Sequence, residues 1–208
     1  MIYLIGGPPK CGKTTLAKKL SKSERIPWVS TDTLQCVIMP FMNKKDLLEK
    51  FPTSTQRCNN NDEKYDKYST NEIIDAYQKQ AKTSYKAIDM FAISEITEGN
   101  DFIIEGYHVE PELIVDLQSK YPNKIKSVFL VKANEEKFID NINKSTTPND
   151  WIIERTNNKE TYNKISKMIC EYSKIIEKEC KKHGFKVVNM DDDFDNKIVE
   201  AIEYLMNN

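Results

Sequence analysis

Arginine is the scarcest charged side chain in this sequence. Only Arg25, Arg57 and Arg155 stand beside 28 lysines in a chain of 208 residues. Arginine is the side chain that grips phosphate or carboxylate bidentately, so a phosphate-handling protein of this composition has few residues for that task. Net charge is also almost nil, with 31 basic against 32 acidic side chains and a formal charge of −1. That balance weighs against a nucleic-acid protein held by a broad basic face, although a local basic groove is compatible with it. No apolar run approaches the ~20 residues of a membrane-spanning helix. Ile2–Ile5, ahead of Gly6-Gly7, is too short for a secretory leader and lacks a basic flank, so a cytoplasmic location without a membrane partner is expected. Cys11, Cys36, Cys58, Cys170 and Cys180 include no C-x-x-C pair. Structural zinc is therefore not expected, and reduced thiols are the cytosolic default.

What is present is an alternation of short apolar runs with longer helical patterns. Ile2–Ile5, Trp28-Val29, Phe102–Ile104, Ser127–Val131 and Lys186–Val188 are the five strand candidates. Unbroken apolar runs suit strands buried on both faces, as in a parallel sheet covered by helices. Between them, Thr14–Lys22 predicts a helix, and Ser69-Thr70-Asn71-Glu72 has capping-box spacing ahead of a long one. Pro111 suits the first turn of another, Gly184 is placed to end the long late helix, and Asp195–Met206 closes the chain. The expectation is a three-layer α/β/α domain spanning 1–208 with a five-stranded parallel sheet. The stretch of about 33–96 holds no convincing strand and is expected to be a helical insert. A polar excursion of about 144–159, interrupted by Pro148, is expected to form a short lid.

The chemistry concentrates in Gly7-Pro8-Pro9-Lys10-Cys11-Gly12-Lys13-Thr14, followed by Thr15, which matches G-x-x-x-x-G-K-[ST] in full. A strand precedes it and an amphipathic helix follows, the context that the motif requires. Gly7 and Gly12 permit backbone angles that side chains forbid, so the loop amides can turn toward a bound phosphate at the helix start. Lys13 is expected to reach the β- and γ-phosphates of ATP and the Thr14 hydroxyl to ligate Mg²⁺.

Four acidic or basic positions beyond the loop invite a role. Asp32 lies just past the second strand, at the edge where α/β sheets bind ligands. It can accept a proton from an acceptor hydroxyl or help hold magnesium, or it can simply cap a helix starting near Thr33. Glu105 ends the Phe102–Ile104 run, where a carboxylate can complete a metal shell or face the acceptor, as Tyr107 and His108 also can. A lone histidine is, equally, a common structural hydrogen-bonding residue. Arg155, near the polar excursion, is positioned to neutralise a transferring phosphoryl group, and Arg57 in the insert to bind an anionic acceptor. Arg25 reads as a helix C-terminal residue. Asp191-Asp192-Asp193 reads as a solvated loop whose acids cap the last helix.

Taken together, these stretches resemble the P-loop small-molecule kinases, and among them the 2-phosphoglycerate kinase-like group. The likeness rests on Ile5-Gly6-Gly7 leading into Lys13-Thr14-Thr15, on Ser30-Thr31-Asp32, and on Glu105-Gly106-Tyr107-His108-Val109-Glu110-Pro111, which looks like E-G-x-H-x-x-P. The resemblance implies Mg²⁺-dependent transfer of the γ-phosphoryl group of ATP to a hydroxyl of a small-molecule acceptor. It maps Lys13, Thr14 and Thr15 to the triphosphate and metal, Asp32 to acceptor or metal, Glu105 and His108 to the acceptor side, and Arg155 to the lid. The chain departs from the group in its arginine-poor lid and in an insert with only Arg57. An acceptor of modest negative charge is therefore as consistent as a phosphorylated acid. The alternatives are a kinase of nucleotides, nucleic-acid ends or antibiotics, and a P-loop protein that binds ATP without catalysis. An L-S-G-G-Q-like transporter signature is missing.

Overall fold

A computed structural model describes residues 1–145 and 150–207. Five strands, β1 (Ile2–Gly6), β2 (Trp28–Ser30), β3 (Phe102–Glu105), β4 (Ile125–Val131) and β5 (Val187–Asn189), form one sheet. Their order is β2-β3-β1-β4-β5, with every neighbouring pair parallel. The expected five-stranded parallel α/β/α architecture is the one observed. All five residues of β1 are buried, as the middle strand of a sheet covered on both faces must be. β4 starts two residues earlier than the apolar run suggested. Lys126 breaks that run, yet its ammonium reaches the rim, over the Tyr3 ring and beside the Met206 carbonyl, so the strand can carry it.

The helices in chain order are α1 (Lys13–Glu24), α2 (Thr31–Ile38), α3 (Lys44–Lys50), α4 (Pro52–Thr55), α5 (Asn61–Lys67), α6 (Thr70–Glu98), α7 (Pro111–Lys120), α8 (Glu135–Asn143), α9 (Trp151–Glu154), α10 (Lys159–His183) and α11 (Phe194–Asn207). α1 and α11 pack together on one face of the sheet; α6, α7 and α10 cover the other. No strand interrupts 31–98, where a short 3₁₀ turn at Met39–Phe41 joins α2 through α6. The capping box at Ser69 is complete: the Glu72 carboxylate accepts from the Ser69 amide at 2.8 Å, and the Ser69 hydroxyl accepts from the Glu72 amide at 3.3 Å. Pro111 opens α7, Gly184 ends α10, and Arg25 terminates α1 through its backbone, its side chain exposed. Pro148 lies outside the described residues. Among the described residues no helix is long and apolar enough to cross a membrane.

β1 is the point where the order of connection reverses, because β3 lies on one side of it and β4 on the other. A crevice opens at such a switch point beyond the carboxyl ends of the strands. The parallel register brings Ile5 level with Glu105, and Ser30 level with the same Glu105. Three loops that the sequence singled out are thus gathered at one sheet edge.

Candidate active site

The loop between β1 and α1 is shaped by close backbone approach. Gly7 has φ of 125°, and a Cβ there would overlap the Leu130 carbonyl of β4. α1 then starts at Lys13 with no side chain capping it, since the residue before it is Gly12. Its first amides therefore have no side-chain acceptor, which is the arrangement that receives an anion. Lys13 is 7% exposed, and its ammonium donates to the Pro8 carbonyl at 2.6 Å. No carboxylate among the described residues pairs with it. A buried ammonium with no carboxylate in direct contact is costly, and phosphate oxygens are the kind of partner that would satisfy it.

The other loop lysine behaves differently. Lys10, in the left-handed region at φ 64°, pairs with Asp150 at 2.6 Å. Asp150 is 2% exposed and caps α9 by accepting from the Ile152 amide at 3.0 Å. Burial alone would raise its pKa, but Lys10, that amide and the Ser145 hydroxyl hold the carboxyl below the usual carboxylate range. The phosphate loop is thereby fastened to the root of the expected lid.

A cavity of about 750 Å³ opens beside this loop, bounded by Lys10, Gly12–Thr15, Lys132, Asp150, Met190 and Phe194 among others. Its far wall is the loop after β5, where Asp191, Asp192 and Asp193 divide their work. Asp191 accepts from the amides of Ala133 and Asn134 at 3.0 to 3.3 Å, and Asp192 pairs with Lys137. Only Asp193 sits at the start of α11, its carbonyl accepting from the Lys197 amide. None of the three carboxylates accepts from an α11 amide among the described residues; Asp193 instead accepts from the Asn196 side chain, and Asp191 staples two loops beside the cavity.

Thr14, Asp32 and Glu105 stand close to Lys13. The Thr14 hydroxyl donates to Glu105 at 3.0 Å. Glu105 is 2% exposed, and burial raises its pKa against the pull of Lys13, Thr14 and Ser30, with Asp32 adding to the rise. The cap of α2 is Ser30, whose hydroxyl accepts from the Asp32 amide, so Asp32 has no capping duty. Its carboxylate is open to water, with the side chain 69% exposed, yet the surrounding protein raises its pKa while Lys13 draws it down. Two carboxylates and a hydroxyl are hard oxygen donors suited to Mg²⁺, which habitually keeps waters and phosphate oxygens for its remaining positions.

Beneath Asp32 lies a polar relay whose proton positions can be deduced. The Gln80 carbonyl oxygen accepts from the Thr53 amide at 3.2 Å, so its amide nitrogen must donate onward: to Gln35 at 2.7 Å and Tyr107 at 2.6 Å. Gln35 therefore presents its oxygen, and His108 Nε2, 2.8 Å away, must carry the proton. His108 Nδ1 is left to accept from the Thr31 hydroxyl at 2.7 Å. Burial, reinforced by Lys13, pushes the His108 pKa down to about 3, so the ring is neutral. Asp32, 3.9 Å from Nδ1, forms no ion pair with it. Gly106, with φ of 155°, lets this turn close, because a Cβ there would overlap the Thr31 side chain.

Several expected contacts are rearranged by these partners. Tyr107 and His108, candidates for the acceptor side, are 9% exposed and wholly buried, and their hydrogen bonds support the floor beneath Thr31 and Asp32. Arg155 does not line the cavity beside the Gly7–Gly12 loop; its guanidinium donates to the carbonyls of Cys58 at 2.7 Å and Asn59 at 3.3 Å, bracing the insert against the segment before α10. Arg57 is exposed, with no ion pair among the described residues. Pro8, Pro9 and Cys11 shape the loop, Cys11 being buried with its thiol against the Pro9 carbonyl. All five cysteines are free thiols. Asn43-Lys44-Lys45-Asp46 spells the N-K-x-D of guanine readers, but here Asn43 caps α3 by accepting from the Asp46 amide at 2.9 Å, within the insert.

Asp150, Lys132, Gln35 and Gln80 were not anticipated. Gln80 did leave a signal, as a polar residue within the apolar stripe of α6 that carries Tyr77 and Ala81. Asp150 left none, because nothing local distinguishes it from the polar residues around it.

A glycine-bounded loop at the switch point of a sheet in this order marks the P-loop class of α/β proteins. The chain belongs to the AAA domain family, whose model matches residues 4–164. No curated protein sequence matches it. Among solved structures it is similar to a gluconokinase from Sinorhizobium meliloti 1021, with TM-score 0.56 and 11% identity over 99% of this chain and 91% of that one. It is also similar to an uncharacterized protein from Eubacterium ventriosum ATCC 27560, with TM-score 0.55 and 17% identity over 100% and 99% of the two chains. A sugar kinase from Janibacter sp. HTCC2649 aligns with TM-score 0.50 and 10% identity over 99% and 94%. At such identities these likenesses speak for the fold alone.

Proposed function

We propose that this chain is a phosphotransferase that moves the γ-phosphoryl group of ATP to a hydroxyl of a small-molecule acceptor. The observation that carries the reading is Lys13: a buried ammonium in no salt bridge among the described residues, at an uncapped helix start, with the carboxylates of Asp32 and Glu105 nearby. The gluconokinase and the sugar kinase of the same fold are consistent with it.

The amides of the Gly7–Gly12 loop and Lys13 bind the phosphate oxygens and hold the transferring group in place. Thr14, Asp32 and Glu105 are the residues that would hold Mg²⁺, which when bound neutralises charge on the phosphoryl oxygens. Asp32, open to the crevice and drawn on by Lys13, accepts the proton of the acceptor hydroxyl. Neutral His108 acts at one remove: by accepting from Thr31 it fixes the residue next to Asp32. Arg155 serves as a brace in this arrangement, so backbone amides and Lys13 carry the phosphate charge instead of arginine. The resemblance of Glu105–Pro111 to the 2-phosphoglycerate kinase-like group supports a hydroxy acid as the acceptor, and the scarcity of arginine favours one of modest charge.

Lys13→Ala tests the reading. Metal-dependent ADP formation with a phosphorylated acceptor is expected for the native chain and its loss for the variant. Unchanged turnover in Lys13→Ala would sink the assignment, and ATP binding with no transfer to any acceptor would leave a binding protein in its place.

A further inference from the structure

Lys132, directly after β4, is a buried cation that the chemistry described so far does not use. It is 5% exposed, yet it lines the cavity of about 750 Å³ together with Lys10, Gly12, Lys13 and Thr15. Among the described residues its ammonium has no ion pair and no hydrogen bond. It rests on the face of the Phe138 ring, 5.3 Å from the centroid. Asp191 is near enough to be felt, but both of its oxygens accept from the amides of Ala133 and Asn134. Burial lowers the Lys132 pKa against the pull of Cys11 and Asp191. Two other lysines of the cavity are accounted for, since Lys10 pairs with Asp150 and Lys144 is exposed to water. Cys11, wholly buried in the loop, feels the charges of both Lys13 and Lys132, so the two ammonium groups lie close to one turn of the chain. A buried ammonium that borders a cavity and touches no acid is completed by an anion.

The topology of the sheet says which anion. β3 lies on one side of β1 and β4 on the other. Thr14, hydrogen-bonded to Glu105 at the end of β3, marks the side on which Asp32 and the transferring group belong. Lys132 stands on the β4 side, where the loop after β5 adds Met190 and Phe194 to the cavity wall. In a loop of this motif the amides cradle the α- and β-phosphates, and the motif lysine reaches the β- and γ-phosphates. The α-phosphate is thus left without a cation of its own. We infer that Lys132 binds the α-phosphate of the nucleotide and so grips the end of the donor that is not transferred. That the nucleotide is a phosphoryl donor rests on the phosphotransferase reading; the contact of Lys132 with a nucleotide phosphate does not require transfer. No arginine is among the described residues that line the cavity, and an ammonium is a point charge with rotatable donors that can meet a phosphate without the fixed fork of a guanidinium. The α-phosphate keeps its charge throughout transfer, so this contact is made equally in the ground and transition states.

Calorimetric titration of ADP and AMP in the presence of Mg²⁺, with adenosine as the uncharged control, reads the contact without any phosphoryl transfer. The native chain is expected to bind ADP, and Lys132→Gln and Lys132→Met should each weaken it about tenfold or more, as loss of one charge-assisted hydrogen bond implies. AMP should weaken by the same factor, because it too carries the α-phosphate, and adenosine affinity should be the same in all three proteins. Removing a buried unpaired charge should leave the melting temperatures of both variants at or above the native value, which separates lost binding from lost folding. In turnover with ATP and a panel of hydroxy acids, Lys132→Gln should raise KM for ATP about tenfold and leave kcat within about twofold of native. ADP binding unaffected by both substitutions would overturn the inference, as would an equal loss of adenosine affinity, a loss confined to ADP, or a fall in kcat with KM unchanged. Failure of the native chain to bind ADP would overturn it together with the phosphotransferase reading. Lys132-dependent binding of ADP and AMP in a protein that transfers no phosphoryl group would uphold this contact and refute that reading alone.

Discussion

Replacing Asp150 with asparagine removes one charge from the pair that fastens the phosphate loop to α9. Asparagine preserves the volume and can still accept from the Ile152 amide, so the helix cap survives and the charge alone is tested. Breaking a buried pair by removing one partner costs about 3–5 kcal/mol. The abandoned Lys10 is 17% exposed and borders the 750 Å³ cavity, where its ammonium can turn to water, so the lower end applies. For a chain of this length, about 3 kcal/mol corresponds to a fall of roughly 6–12 °C in melting temperature. Asp150→Ala should cost about 1 kcal/mol more through the lost cap. The pH dependence carries a sign. The folded pKa of Asp150 is depressed, so its contribution is complete above the unfolded value of about 3.9 and disappears as pH falls through the folded one. Thermal melts followed by circular dichroism at pH 7 and through the acid range below about pH 4 measure both effects. A melting temperature for Asp150→Asn within about 2 °C of native at pH 7 would refute the claim that this pair anchors the loop.

Two further outcomes follow from the floor of the site. His108, with its folded pKa near 3, refuses a proton that the unfolded chain accepts below about pH 6.5, so stability should fall as pH drops from there. By pH 5 that amounts to about 2 kcal/mol, and urea unfolding should show the gap between native protein and His108→Gln shrinking by that much; a constant gap would contradict the neutral, buried imidazole. Gly106→Ala places a Cβ against Thr31 at a left-handed φ and should cost about 2 kcal/mol or more, against about 1 kcal/mol for Gly99→Ala, where the space is open. Equal losses in the two variants would show that the Gly106 turn is not tight.

The parts of this site that could be read from the sequence are those whose requirements are local. Gly7, Gly12 and Lys13 form one loop because backbone angles and phosphate charge dictate both residue types and spacing over eight positions. β1, β3 and β4 were legible for a similar reason, since burial on both faces writes an apolar run. What was hidden depends on partners distant in the chain. Whether Asp32 capped α2 hung on Ser30, which took that role. The Lys10–Asp150 pair spans 140 positions, and neither residue is unusual among its neighbours. His108 looked equally suited to substrate or structure until Gln80, fixed by the Thr53 amide, set the orientation of Gln35 and with it the proton on Nε2. Arg155 looked like a lid residue from its place in the chain, but two carbonyls of the insert hold it.

Phosphorus NMR of the complete reaction bears most directly on the central claim, because it follows the γ-phosphoryl group itself. With ATP, Mg²⁺ and the panel of hydroxy acids, the native chain should yield a new phosphomonoester in step with ADP, and Lys13→Ala should yield neither. ADP accompanied only by inorganic phosphate, or no consumption of ATP with any acceptor, would contradict the account.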